Sequence, residues 1–473
     1  MKKLFSIVIV VLLTACLFVA CNPEQPHVHE LELVPAVAAT CTTPGNTAYY
    51  KCSGCDLLFS DAEGQNEITL ESTVVPAAHT TQSVAAVPAT CEAAGVAAHY
   101  ECTVCHKLFS DAAGTTEVTA ESLAVAVLGH DYVAAYSEGV TTWTCSRDNS
   151  HTLPAVEGKV LVLVDGVYTG YNTLEAACNA VAENATATII VNEDISVAET
   201  ITVANKNLTI MNRDGANVTI QDAVMTHDTD TGSTSNQVAR MFQINGTSAF
   251  VVSGNTTGSL KFQGAADGSA AHTECNRRVL FFLGATKTNL ASGSVTLNDG
   301  VEVTGIESTG TTSFGVVVRG YGDVTINGGN YHDNTMAGNA LFCVYGTTVI
   351  NGGTFKDNTS TANSSSVVQN CGTLTVNGGL FDGNSQQYGV IVGATPSTTN
   401  IVGGTFSNNS STHATAGAAI YTNSAATAVF NISGGTFTGN TLYDYYETSK
   451  GTINITGGSF VTNNGTYVNG VKQ

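Results

Sequence analysis

In the C-terminal third of the chain, apolar and polar positions alternate in short runs such as Val324-Thr325-Ile326 and Leu374-Thr375-Val376. Each run is the period-2 signature of a strand whose alternate side chains face an interior. Every run is followed by a Gly-Gly pair, an aromatic two residues later and an asparagine three after that. The second glycines are Gly329, Gly353, Gly379, Gly404, Gly435 and Gly458, so units of 23 to 31 residues follow one another. A second apolar run precedes most pairs, at 315–320, 340–345, 389–393 and 418–421. Two or three strands per unit joined by sharp corners predict a β-solenoid whose turns stack at about 4.8 Å. The aromatics Tyr331, Phe355, Phe381, Phe406, Phe437 and Phe460 are expected to stack inside it. Asn334, Asn358, Asn384, Asn409, Asn440 and Asn463 are expected to hydrogen-bond from turn to turn.

Upstream, the strand pair KVLVLVDGVY is followed by Leu174, Ala177, Cys178 and Val181 at helical spacing, with Asn172 or Thr173 as N-cap. This predicts a helix over about 173–184. A helix leading into TIIVNEDISVAETITVANKNLTIM resembles the opening of right-handed parallel β-helix proteins of the pectate-lyase-like superfamily, in which such a helix plugs the first turn. The Gly-Gly-x-Phe-x-x-Asn repeat is also similar to that of polymorphic outer-membrane autotransporters. The resemblance implies an all-β chain with a right-handed parallel β-helix over 156–473 and an N-terminal capping helix. Two polar insertions, 222–240 and 264–278, interrupt the coil and are the expected place for a binding site.

A different repeat occupies the N-terminal region. Cys41, Cys52 and Cys55 recur without a gap as Cys91, Cys102 and Cys105, and His29 recurs as His79. A degraded third copy begins at His130 and keeps Trp143, Cys145 and His151. The shared text, ATC…Y-x-C-x-x-C…LFSDA-x-G, resembles a small module found in tandem in surface proteins of gut anaerobes, which implies a spacer with no activity of its own. The expected boundaries are 22–78, 79–129 and a degenerate module with linker at 130–155. Three cysteines and one histidine per copy suit structural, tetrahedral zinc. One site would use Cys41, Cys52 and Cys55 with His79 or His29, the other Cys91, Cys102 and Cys105 with His130 or His79. Disulfides are the alternative in an exported protein. Either staple would stabilise a unit too small for much core.

Residues 1–21 read as an export signal. They resemble a bacterial lipoprotein signal with Cys16 or Cys21 as the lipid-bearing residue, which implies a protein anchored on the outer surface of the cell envelope. Only 12 % of residues are charged and the formal net charge is −21, which argues against nucleic acid or an anionic membrane surface as partner.

Catalysis is the competing possibility, because the β-helix fold often carries polysaccharide lyases and hydrolases. Asp333 and Asp357 hold one repeat position on adjacent turns, with Arg319 and Asp323 just upstream. The next units put Gly383, Asn408, Gly439 and Thr462 there, as a corner position would. Asp228-x-Asp230-x-Gly232 imitates half of a calcium loop without its distal Glu, so calcium is not expected. Tyr443, Tyr445 and Tyr446 offer rings for sugars or for packing. The expectation is a non-enzymatic, adhesin-like lipoprotein binding a glycan or a cell-surface protein; the alternatives are a β-helix lyase or hydrolase and a purely structural stalk.

Overall fold

The computed structural model describes residues 28–224, 228–229, 237–265, 278–284, 293–308, 314–336, 339–360, 366–394, 396–413, 416–423, 427–448, 450–461, 467–468 and 471–472. They form two compact units that divide between Asp131 and Tyr132.

The C-terminal unit is a right-handed parallel β-helix. Each turn visits a first sheet, as at Asp323–Ile326, a second, as at Asn330–His332, and a fourth, as at Asn339–Val344. From Glu307–Ser308 to Ser410–Ser411 a short third sheet is inserted between the second and the fourth. Phe355 pairs in register with Phe381, and Phe381 with Phe406. The rings from Tyr331 to Phe460 stack at centroid distances of 5.0, 4.5, 4.7, 4.8 and 4.6 Å. All but Phe460 are fully buried, so the ladder is the axis of the core. In the earlier turns Phe242, Phe250, Phe262 and Phe281 fill the same interior as a mutually packed cluster.

The Gly-Gly corner follows from two separate requirements. The second glycine has φ between 93° and 105° in all six units, a region L side chains rarely enter. The first lies against the previous turn: a Cβ on Gly352 would sit 2.6 Å from the carbonyl oxygen of Asn327.

The asparagines form an internal ladder. The side-chain amides of Asn334, Asn358, Asn384 and Asn409 each donate to the Oδ1 of the next, every time at 3.0 Å. Asn440 passes the chain on to Asp444 Oδ1 at 2.9 Å, and Asn463 lies outside the described residues. The same Oδ1 atoms accept the backbone N–H of the preceding asparagine at 3.1–3.2 Å, so each buried corner is satisfied. A second ladder, Asn298, Asn327, Asn351 and Asn377, runs at 2.8–2.9 Å along the exposed Gly-Gly corner.

The solenoid's first turn is capped in three layers. The hairpin Val160–Val164/Val167–Tyr171 pairs antiparallel with Thr186–Val191 and so covers the open edge of the first sheet. The helix spans Leu174–Ala180, shorter than 173–184, with Thr173 as N-cap accepting from the Ala176 N–H at 3.1 Å. It stops there because buried Lys206 donates to the carbonyls of Cys178 and Val181 at 3.1 and 2.6 Å, satisfying groups a further turn would use. The meander Tyr132–Ser137, Val140–Cys145 and Thr152–Glu157 packs on this end, with Trp143 stacked on Tyr168 at 4.4 Å. From Tyr132 on, the stretch expected as a degenerate module and linker falls in the C-terminal unit as this three-stranded sheet.

In the N-terminal unit the two repeats adopt the same fold. Strands Leu31–Val34, Tyr49–Cys52, Leu58–Phe59 and Glu67–Ile68 make one antiparallel sheet, and Thr81–Val84, His99–Cys102, Leu108–Phe109 and Glu117–Val118 the other. A single helical turn follows in each, capped by Thr69 and Thr119. Among the described residues no helix is long and apolar enough to cross a membrane.

Candidate metal centres and a polar cleft

The Cys-x-x-Cys pairs sit where a strand turns into its neighbour. In the second repeat the Cys102 N–H donates to the Lys107 carbonyl and the His106 N–H to the Cys102 carbonyl, both at 2.9 Å, so this turn is held by its own backbone. His79 opens the same repeat and lies against Phe109 with ring centroids 4.5 Å apart; His29 lies against Phe59 at 4.7 Å. Both phenylalanines are buried. They are the aromatic of the LFSDA-x-G text, and their job is to fix the imidazole. The aspartate of that text closes the adjoining loop: Asp111 accepts the N–H groups of Thr115 and Thr116 at 3.1 and 2.7 Å, as Asp61 does for Gln65 and Asn66. Gly64 and Gly114, both at φ 66°, complete it.

These supports bring Cys41, His79, Cys102 and Cys105 together, with all four ligand atoms within 4.8 Å of one another. Cys41 Sγ is 3.6 Å from Cys102 Sγ, and Cys105 Sγ is 3.4 Å from His79 Nδ1. Zinc with bonds of about 2.3 Å to sulfur and 2.0–2.1 Å to nitrogen makes tetrahedral edges of roughly 3.8 and 3.5 Å. The set therefore has the ligand types and the size of a closed tetrahedral site. Although burial opposes it, the N–H groups of Cys105 and Val104, with His79, pull the Cys102 thiol down to about 5, a thiolate ready for metal. Its hydrogen bond to Cys102, with burial acting the same way, pushes the Cys41 thiol up to about 11.

The grouping differs from the one read off the repeat. Cys41 leaves its own Cys52 and Cys55 and joins the second repeat, because the loop carrying it reaches across to the next repeat. Cys52 and Cys55 gather instead with His29, whose Nδ1 is 3.4 and 3.5 Å from the two sulfurs. Cys91, the counterpart of Cys41, and His130 are outside the tetrad but come together as the repeat suggested, their ligand atoms within 4.8 Å of each other; Cys91 is buried, and His130 Nε2 also lies 3.9 Å from Glu92. Cys16 and Cys21 lie outside the described residues.

On the β-helix, Asp333 and Asp357 occupy the corner after the second sheet with φ of 53° and 52°. Gly383, Asn408 and Gly439 repeat it at 68°, 54° and 67°, a left-handed corner that Asp, Asn and Gly tolerate; Thr462 lies outside the described residues. Asp333 also bonds His332 Nδ1 at 2.7 Å, and His332 Nε2 lies 3.3 Å from Glu302. Arg319 is elsewhere on the turn, on the fourth sheet, with its guanidinium 5.8 Å from the Phe282 ring. Of the three tyrosines, Tyr445 and Tyr446 form a short strand and face opposite ways, while Tyr443 precedes it with its ring 6.1 Å from that of Tyr446. Tyr445 packs inward on Phe460, whereas Tyr446 joins an outer row with Tyr421 and Tyr388. Asp230 and Gly232 lie outside the described residues.

Sequence reading missed a cleft of about 660 Å³ beside the capping helix, lined by Lys159, Asn172, Asp194, Thr219, Gln221 and Gln263 among others. Gln221 and Gln263 lie at the ends of the strands Asn217–Asp222 and Ser259–Gln263, one residue before the end and at it, and the two polar insertions depart from these strands. The one available signal was that both insertions leave the same sheet one turn apart. At their roots Arg278 donates to Asp222 Oδ2 at 2.7 Å and to the Val224 carbonyl at 2.9 Å, fully buried.

No protein-family model, curated protein or solved structure matches the chain.

Proposed function

We propose that this chain is an exported, lipid-anchored surface protein of the adhesin type. Structural zinc joins its Cys-rich repeats into a spacer, and its β-helix, of pectate-lyase-like kind, binds a glycan or cell-surface protein without turnover. The observation that carries the zinc reading is the tetrad Cys41, His79, Cys102 and Cys105, with the edge lengths of a tetrahedral site. All four positions being protein ligands, the ion would have a structural role. The binding reading is supported by the cleft at the roots of the insertions, whose amides, hydroxyls and opposite charges suit the hydroxyl pattern of a sugar.

Two measurements test the two halves. Metal analysis of the purified protein should find zinc, with one equivalent lost in Cys102→Ser/Cys105→Ser. Incubation with a panel of acidic and neutral polysaccharides should give retention without new reducing ends or unsaturated products, and Gln221→Ala/Gln263→Ala should weaken retention. A second reading, a polysaccharide lyase or hydrolase, is favoured by His332 held between Asp333 and Glu302. Product formation abolished by Asp333→Asn would replace the adhesin reading with that one.

A further inference from the structure

The cleft beside the capping helix reaches Gln263, the last residue of the strand Ser259–Gln263. A second cleft, of about 480 Å³, opens at the other end of the same strand, lined by Gly258, Asn255, Asn298, Asp299 and Asn327 among others. It lies where the exposed asparagine ladder stops. Asn377, Asn351 and Asn327 each donate to the turn before, the last to Asn298 Oδ1 at 2.8 Å, so the amides of the row all point toward the earlier turns. The next place in register belongs to Ser253, whose hydroxyl is given to the Gly254 carbonyl at 2.9 Å. The row therefore ends on the Asn298 amide with no acceptor among the described residues, and a chain of hydrogen bonds strengthens its last donor. Beside it the Asp299 carboxylate lies over Gly328, where a Cβ would run into its Oδ1, and accepts no hydrogen bond from the described residues. A donor and a carboxylate side by side suit neighbouring hydroxyls, each of which both donates and accepts.

Between the two clefts the outward side chains are polar: Ser259 and Lys261 on the connecting strand, Thr219 and Glu302 on its neighbours. Five strand residues cover roughly 17 Å, the reach of a short oligosaccharide and too long for one sugar ring. Charge narrows the class of ligand. Lys261 is held by Glu302 at 3.2 Å and Lys159 by Glu193 at 2.7 Å, so a sugar carboxylate meets cations that are already paired. It also meets the like charges of Asp194 in one cleft and Asp299 in the other. We infer that this face of the second sheet is a single track for a neutral oligosaccharide, anchored at one end by Gln221 and Gln263 and at the other by Asn298 and Asp299. The inference rests on the glycan-binding reading above, and adds to it the ligand class and the second anchor.

Calorimetric titration of the full chain with gluco-, xylo- and manno-oligosaccharides, and with oligogalacturonates of matched length, tests this. At least one neutral series should bind more tightly as hexasaccharide than as disaccharide, with little dependence on salt, and the oligogalacturonates should not bind. Asp299→Ala should weaken the hexasaccharide about tenfold or more, as the loss of a hydrogen bond to a charged group does, and leave the disaccharide unchanged in the cleft beside the helix. Asn298→Ala should act in the same direction. Should a variant misfold, acetylation of the wild type gives the same answer, because a bound hexasaccharide should shield Lys261 and a disaccharide should not. Preference for oligogalacturonates, or a neutral hexasaccharide bound by both variants as tightly as by the wild type, overturns the inference and leaves glycan binding standing. No binding of either class overturns the glycan reading itself, and the inference with it.

Discussion

Replacing Asn384 by alanine removes the Oδ1 that accepts from both the backbone N–H and the side-chain amide of Asn358, and with it the amide that donates to the Phe355 carbonyl. Each group left buried and unsatisfied costs about 1–3 kcal/mol, so a loss of roughly 3 kcal/mol or more is expected in urea denaturation. Asn377→Ala, on the exposed ladder, should cost well under half of that, since water replaces the lost bond. A pH effect belongs to Asp111, whose carboxyl is held down to about 2 chiefly by the Thr115 and Thr116 N–H groups. Its unfolded value is about 3.9, so its stabilisation is complete above pH 4 and disappears as pH falls through 2. Asp111→Ala should be less stable near neutrality and should lose that acid-dependent step when unfolding is followed from pH 5 to 2.

The strands, the Gly-Gly corners and both expected ladders could be read because each is a local pattern written six times. Repetition also hid things. The asparagine before the Gly-Gly pair, Asn327, Asn351 and Asn377, carries a second ladder that shows only once neighbouring turns are stacked. Lys206 ends the helix from 25 residues downstream of Val181, and no local pattern announces such a partner. The metal grouping was misleading for a related reason: a repeat boundary drawn by similarity cuts through the site it shares. The insertions were recognised by composition and expected to hold a binding site, but the buried pair of Asp222 and Arg278 at their roots was not. Burial pushes the Asp222 carboxyl up and Arg278 offsets it. Arg278→Met should leave that charge uncompensated and cost about 3–5 kcal/mol, read as a lower denaturation midpoint of the β-helix, whereas replacing both partners by apolar residues should recover much of it.

Taken together, the chain is built from two kinds of repetition with different sources of order. The β-helix gains stability from neighbour-to-neighbour stacking, so a lesion in one turn spreads to the next and fades beyond it. The N-terminal repeats have little interior, and their order is expected to depend on metal. Chelation should therefore increase hydrogen exchange around Cys102 and His79 while leaving the Phe381–Phe437 turns protected. Equal loss of protection in both regions would mean that the metal has no such selective part. Charge adds little to either half, since charged residues are sparse.

The loan of Cys41 to the following repeat has a consequence for how such an array can grow. A repeat that carries its own complete site is a bead, and beads can be added or removed without regard to order. A repeat that carries three-quarters of a socket at its front and a hook behind is a link. A row of links closes one joint fewer than its members, always faces the same way, and cannot be assessed by expressing a single member alone.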